Sequence, residues 1–110
     1  MKPSILLFVT ALLLSTSSAA HDGLHDKWFE SLKQPNGYSC CNLTDCRATE
    51  AEIRNGHWWA REWYTSTWLE VPDKVVIYDK GNPVGLPVLC AIPNYDGGYN
   101  VLCFVPGALF

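Results

Sequence analysis

The residues most able to take part in chemistry in this 110-residue sequence are five cysteines. They are Cys40, Cys41, Cys46, Cys90 and Cys103. The last two flank a turn-forming segment, residues 94–99, and a hairpin closed there would place Cys90 directly opposite Cys103. Cross-strand neighbours at such a position are close enough for a disulfide. We therefore predict a Cys90–Cys103 bridge that stabilises the domain by about 3 kcal/mol.

The other three cysteines cannot all pair within one chain. A bond between the adjacent Cys40 and Cys41 would close a strained small ring, so Cys46 is expected to bond one of these two, preferably Cys41. Cys40 would then be a free thiol, the link in a disulfide-bonded dimer, or a partner for Cys90 or Cys103 in a different pairing. The spacing favours neither redox catalysis, which usually needs a CxxC pair at a helix N-terminus, nor structural zinc, which usually needs two close-spaced pairs.

Three histidines suggest a second chemistry, the binding of copper. His21 and His25 are four residues apart, which on a helix puts both rings on one face, as in a two-histidine half-site for a metal. If processing leaves His21 as the first residue, its free amine and ring could chelate copper together with His25 or His57. The alternative is that terminal histidines simply face solvent. No other cofactor is indicated.

Four closely spaced tryptophans suggest a third property, the stacking of a ligand. Trp58 and Trp59 are adjacent, so on a strand they point to opposite faces and only one of them can enter the core. Trp63 and Trp68 flank the following turn. Exposed aromatic rings on a small β domain can stack on sugars or contact a protein partner. The alternative is that these large side chains fill a thin core.

Several function classes are disfavoured by the sequence. It contains no nucleophile elbow, P-loop, zincin motif or dinucleotide fingerprint, so we expect a protein without enzymatic activity. The formal net charge is −3 and there is no basic cluster, which argues against a nucleic-acid partner.

The first twenty residues follow the pattern of a secretory signal peptide. Lys2 is positive, Ile5–Leu14 is apolar apart from one threonine, and small residues fill positions 15–20. The apolar run is well short of the roughly 20 residues that a membrane-spanning helix needs. We therefore expect cleavage before His21 and a periplasmic or secreted product without a transmembrane anchor. Its cysteine content fits an oxidising compartment.

Residues 21–110 are expected to form one small domain that begins with a helix. Over residues 24–33, Leu24, Trp28 and Leu32 recur at helical spacing, and Asp22 could cap the helix. So short a helix is not stable alone, and we expect its apolar stripe to pack on a sheet.

Strand patterns dominate the rest of the chain. Asn55-Gly56 is the preferred dipeptide of a two-residue hairpin turn, and folding there pairs Ile53 with Trp58 and Ala51 with Ala60. A helix over residues 49–54 is the alternative, because a capping box is present. Further strands are predicted over residues 68–71, 75–78, 86–92 and 100–105. The predicted fold class is mainly β, a small antiparallel, disulfide-stapled meander with one short N-terminal helix.

The order of these residues resembles a group of short, exported, uncharacterised proteobacterial proteins that carry an S-C-C-N-x-x-D-C-R element. The matching residues are His25-Asp26, Trp28-Phe29, Leu32, Pro35, Gly37, Ser39-Cys40-Cys41-Asn42, Asp45-Cys46-Arg47, Val71-Pro72-Asp73-Lys74, Asn82-Pro83, Gly85, Leu89-Cys90 and Leu102-Cys103-Phe104-Val105-Pro106. The resemblance implies a bacterial periplasmic or secreted protein and brings no activity. The His-Asp pair of these proteins matches His25-Asp26. His21 is then an extension next to the leader, which weakens the case for a copper site at the N-terminus.

Three functional hypotheses follow, in order of preference. The first is a non-enzymatic binding module of the cell envelope, with an envelope protein or a glycan as its partner. The second is a copper-binding protein that uses His21, His25 or His57. The third is a thiol-dependent role, or a covalent dimer, through an unpaired cysteine.

Overall fold

A computed structural model describes residues 24–40 and 45–107 of the chain. The predicted leader, His21 and Cys41 lie outside the described residues. The described chain contains one α-helix, six β-strands and one 3₁₀ turn. These are α1 (Asp26–Ser31), β1 (Cys46–Ala48), β2 (Ala51–Arg54), β3 (His57–Arg61), β4 (Trp68–Glu70), the 3₁₀ turn (Asp73–Val75), β5 (Val88–Pro93) and β6 (Tyr99–Val105). The predicted fold class, mainly antiparallel β with one short helix and disulfide bonds, is confirmed.

The strands are divided between two antiparallel sheets of three strands each. One sheet is a meander in the order β2-β3-β4, and we call it the hairpin sheet. The other has the order β1-β5-β6, and we call it the disulfide sheet. Strand β1 lies in the cysteine-rich segment, where no strand was predicted. Because β1 pairs with β5, the disulfide sheet joins parts of the chain that are far apart in sequence.

The hairpin sheet follows its turn signal. Asn55 and Gly56 both have positive φ, 53° and 82°, as this turn type requires. Ile53 faces Trp58, and the two alanines of the predicted pairing also face each other. The predicted register is therefore confirmed, and the helical alternative for residues 49–54 is wrong.

The strand predicted over residues 75–78 is wrong. After Pro72 the chain turns, with the Val75 amide donating to the Pro72 carbonyl oxygen at 3.1 Å. Beyond this turn a single bridge joins Val76 to Phe104. Val75, Val76 and Ile77 are all buried, so this apolar run fills space between elements and has no exposed face. A run of β-branched residues cannot by itself distinguish these two situations.

Helix α1 is shorter than predicted and covers one face of the disulfide sheet. Leu24 lies before the helix and is exposed, whereas Phe29, which the predicted stripe omitted, is buried. Phe29 and Leu32 share a core cluster with Val88 and Val105 of the sheet. The prediction that the helix packs on a sheet is confirmed. Among the described residues no helix is long and apolar enough to span a membrane.

The opposite face of the disulfide sheet packs against the hairpin sheet. Leu89 and Phe104 from the disulfide sheet share a second core cluster with Trp58, Ala60 and their neighbours. The domain thus has three layers, in the order helix, disulfide sheet and hairpin sheet. The outer side of the hairpin sheet is left uncovered by these layers.

Candidate functional site

The four described cysteines form two disulfides that differ from the predicted pairs. Cys46 bonds Cys90, which lies opposite it on the neighbouring strand, and Cys40 bonds Cys103. The predicted Cys90–Cys103 bridge is therefore wrong, although the two residues do face each other as expected. Strand β5 has a neighbour on each side, so Cys90 faces two cysteines at once. The sequence could not show that β1 brings Cys46 to this position.

The remaining cysteine predictions change accordingly. The Cys41–Cys46 bond is wrong, since Cys46 bonds Cys90. Cys40 is not a free thiol, because the turn after α1 brings it to Cys103, with its amide donating to the Leu32 carbonyl oxygen at 3.0 Å. Of the chain's five cysteines, Cys41 alone therefore has no cysteine left to pair with in its own chain.

Both disulfides have a structural environment. All four cysteines are essentially inaccessible to solvent and lie in the core cluster beneath the helix. The bonds link residues 63 and 44 positions apart, and closing loops of this length stabilises a fold by about 4 kcal/mol each. They fit a protein that resides outside the cytoplasm.

The four candidate tryptophans occupy three different environments. Trp58 is only 7% exposed and packs against Phe104, with ring centroids 5.2 Å apart, so it belongs to the core and offers no stacking surface. Trp59 points to the opposite face, as predicted from the alternation of a strand. Trp68 shares that outer face with Trp59. Trp63 lies beyond the end of β3, beside a surface groove.

The outer side of the hairpin sheet, which we call the tryptophan face, combines two aromatic rings with a cation. The guanidinium carbon of Arg54 lies 4.9 Å from the ring centroid of Trp59 and 4.8 Å from that of Trp68. Both indoles are half-buried. The face is defined by Glu52, Arg54, Trp59, Arg61, Trp68 and Glu70. Sequence reasoning identified the tryptophans but missed Arg54, whose position depends on side-chain direction across the sheet.

Ion pairs hold the charged groups around these rings. Arg54 pairs with Glu52, and Arg61 donates to Glu50 at 2.9 Å and to the Ser66 hydroxyl at 3.2 Å. Glu70 lies directly opposite Trp59 on the next strand. Planar hydrogen-bond donors and acceptors therefore surround the two indoles. Surface ion pairs of this kind add little to the stability of the fold, so their main effect is to orient these side chains.

A buried carboxylate supports the turn beside this face. Glu62 is 1% exposed and accepts hydrogen bonds from the Tyr64 amide at 2.9 Å and from the Thr65 amide and hydroxyl at 2.8 and 2.9 Å. Burial raises the pKa of Glu62, but these bonds and one from the Tyr99 side chain outweigh it, so the pKa lies below its ordinary value. A buried carboxylate that stays ionised and accepts several bonds holds the turn and is poorly suited to donate a proton.

A surface groove of about 700 Å³ opens next to the turn. Its walls come from the segment before β2, the loop before β5 and the end of β3. The lining surface is mainly apolar, with contributions from Ala48, Ala51, Trp63, Leu86 and Pro87. Arg61 and its ion-pair partner Glu50 also line the groove, so this concave site, with Trp63 on its wall, adjoins the tryptophan face.

The two described histidines are placed separately. His25 occupies the N-cap position of α1, and His57 begins β3, where its Nδ1 lies 3.1 Å from a carboxylate oxygen of Asp73. The hydrogen bond with Asp73, and then its charge, raise the pKa of His57 above the ordinary value. Within residues 24–40 and 45–107, no group of three or more His, Cys, Asp or Glu side chains could hold a metal ion. His21 lies outside the described residues, and the copper site stays a prediction.

The chain matches no protein-family model, no curated protein and no solved structure. The resemblance to short exported bacterial proteins therefore stays a prediction from the sequence.

Proposed function

We propose that this protein is a non-enzymatic binding module of the bacterial envelope, periplasmic or secreted, and that its tryptophan face contacts a glycan. The observation that carries the proposal is the placement of Trp59 and Trp68 on one exposed sheet face, held by a single guanidinium from Arg54. The signal peptide predicted over residues 1–20 and the two buried disulfides support the extracytoplasmic location.

The chemistry of the face suits a sugar polymer. A sugar ring presents an apolar C–H face that can stack on the electron-rich face of an indole, and its hydroxyl groups need fixed partners at the rim. Glu52, Glu70 and Arg61 supply planar acceptors and donors on both sides of the rings. The ion pairs of Glu52 with Arg54 and of Arg61 with Glu50 reduce the entropy lost on binding, since these side chains are already ordered. The mixture of charges favours a polyhydroxylated ligand over a strongly charged one.

A sedimentation experiment with purified peptidoglycan tests the proposal. The exported protein is expected to co-sediment with this insoluble glycan, and Trp59→Ala should weaken binding by about tenfold or more, as is typical of a central aromatic contact. The melting temperature of the variant should stay close to that of the native protein, because Trp59 lies outside both core clusters.

The matched control is Tyr95→Ala, which removes a fully exposed aromatic ring at the tip of the β5–β6 hairpin. It should bind peptidoglycan as the native protein does. Equal binding by Trp59→Ala and the native protein would overturn the proposal. Failure of the native protein to bind peptidoglycan, with capture of an envelope protein through Trp59 instead, would replace the glycan by a protein partner.

A second candidate function is a covalent link through Cys41. The observation that favours it is the pairing of the other four cysteines with one another. The intact mass of the exported protein, measured without reductant, tests it. A mass twice that of the chain supports a disulfide-linked dimer, whereas a single-chain mass with one alkylatable thiol contradicts it.

A further inference from the structure

The surface groove beside Trp63 adjoins the tryptophan face through a residue that belongs to both. Arg61 lines the groove, and in the register of β3 and β4 it lies directly opposite Trp68. A polymer that stacks on Trp68 therefore lies next to the groove. The groove has a volume of about 700 Å³, within the roughly 300–1,000 Å³ that is usual for ligand sites, so it can hold a substituent of such a polymer.

The charges of the groove are paired with each other. Among the described residues that line it, the charged ones are Glu50 and Arg61, whose carboxylate and guanidinium lie 2.9 Å apart. Arg61 also donates to the Ser66 hydroxyl at 3.2 Å. A charged substituent would meet both signs at once, so its attraction to one is offset by repulsion from the other. The groove is therefore better matched to a neutral group.

A neutral amide is complementary to this ion pair. The Glu50 side chain is 67% exposed, and within residues 24–40 and 45–107 no hydrogen bond reaches its second carboxylate oxygen. That oxygen can accept a hydrogen bond from an amide N–H. The contacts of Arg61 with Glu50 and Ser66 use two of its five N–H donors, which leaves others for the amide carbonyl oxygen.

The rest of the groove is mainly apolar. Its apolar lining includes Ala48, Ala51, Leu86 and Pro87. Leu86 is 59% exposed, so contact with a methyl group would remove apolar surface from water on both sides. An amide that carries a methyl group is an acetamido group, the substituent that distinguishes N-acetylated amino sugars from plain hexoses.

We propose that the groove selects N-acetylated amino-sugar polymers by holding one acetamido group. Its N–H donates to Glu50, its carbonyl oxygen accepts from Arg61, and its methyl group packs against Leu86. This inference rests on the proposed glycan-binding function, because the tryptophan face supplies the stacking that holds the sugar chain. It adds the class of glycan that the combined surface prefers.

Two soluble oligosaccharides with the same backbone test the inference. Chitopentaose and cellopentaose have the same linkage and length, and they differ only in the C2 substituent, which is acetamido in the first and hydroxyl in the second. In titrations followed by calorimetry and tryptophan fluorescence, chitopentaose should bind about tenfold more tightly, because a hydrogen bond to a charged group is worth such a factor.

The outcomes separate this inference from the proposed function. Equal affinities for the two oligosaccharides, or binding of peptidoglycan without binding of chitopentaose, would overturn the acetamido site and leave the glycan-binding function intact. The absence of binding to both oligosaccharides and to peptidoglycan would overturn both proposals.

Two glutamate variants test whether the selectivity lies in the groove. Glu50→Ala should reduce the preference for chitopentaose to about threefold or less, because the hydrogen bond to the amide is lost. Glu52→Ala is the matched control, since Glu52 is also an exposed acid paired with an arginine, Arg54, but does not line the groove. It should weaken both oligosaccharides by the same factor and so keep the native ratio of affinities.

A third variant tests the methyl contact. Leu86→Ser removes apolar surface from the groove wall and should lower the ratio of the two affinities severalfold. A native ratio in Glu50→Ala, or equal falls of the ratio in Glu50→Ala and Glu52→Ala, would overturn the acetamido site.

Discussion

The two sheets of this domain differ in what surrounds them. The disulfide sheet is covered by α1 on one face and by the hairpin sheet on the other, and four consecutive residues of its central strand, Val88–Ala91, are buried. The hairpin sheet has one face in the core and one in solvent, so exposure alternates along β3. Both disulfides are anchored in the first sheet, one between β1 and β5 and the other between β6 and the segment after α1, whereas within the described chain the second sheet contains no cysteine.

This difference suggests a division of roles between the sheets. A small domain buries too little surface to be robust through packing alone, and disulfides supply the missing stability. Because the disulfides stabilise the fold, the large aromatic rings need not all be buried in the small core, and some can lie on the outer face of the hairpin sheet. Trp58 and Trp59 show both outcomes at adjacent positions, one in the core and one on the tryptophan face.

The largest expected effect comes from breaking the disulfide sheet. Replacing Cys46 and Cys90 together by alanine should reduce the free energy of unfolding by about 4 kcal/mol, because their bond closes a long loop in the unfolded chain. Urea unfolding followed by circular dichroism, without reductant, measures this change. A loss below about 1 kcal/mol would show that the stability of the domain lies elsewhere.

A smaller effect is expected from the buried carboxylate beside the hairpin sheet. Glu62→Gln keeps the shape but turns one acceptor into a donor that faces other donors, which should cost about 2 kcal/mol. Because the pKa of Glu62 is lowered in the folded state, its contribution is present above the ordinary carboxyl pKa and is lost as pH falls through the lowered value. Unfolding measured between pH 7 and pH 3 should therefore show a flatter acid limb in the variant. An acid limb identical to that of the native protein would contradict this role.

The smallest effect concerns the ion pair at the hairpin end of the same sheet. Asp73 raises the pKa of His57, so the pair stabilises the fold below the ordinary histidine pKa, and this contribution is lost as pH rises through the raised value. In an Asp73→Asn variant, an NMR titration should show the pKa of His57 moving down towards its ordinary value. An unchanged titration curve would mean that the pair does not persist in solution.

The features that could be predicted from the sequence depend on neighbouring residues. The Asn55-Gly56 turn predicted the register of the β2–β3 hairpin. The strands predicted at the positions of β5 and β6 also placed Cys90 opposite Cys103, as the structure has them. The cysteine pairing depended instead on β1 lying beside β5, a contact between distant parts of the chain that no local pattern encodes.

The candidate site shows the same limit. The tryptophans were visible in the sequence, and strand alternation correctly separated Trp58 from Trp59. Arg54 was missed, because its position over two aromatic rings depends on how side chains cross between strands. In the sequence, Glu62 cannot be distinguished from a surface acid, because its burial depends on how the following turn packs around it.

The division between a stabilising sheet and a recognition face is tested most directly by a Trp59→Ala, Trp68→Ala double variant. Its peptidoglycan binding and its melting temperature are measured beside those of the Cys46→Ala, Cys90→Ala variant. We predict that glycan binding falls by well over tenfold while the melting temperature drops by only about 5 °C, since exposed cation–π contacts contribute roughly 1 kcal/mol. Glycan binding equal to that of the native protein, or a melting temperature as low as that of the cysteine variant, would contradict this account.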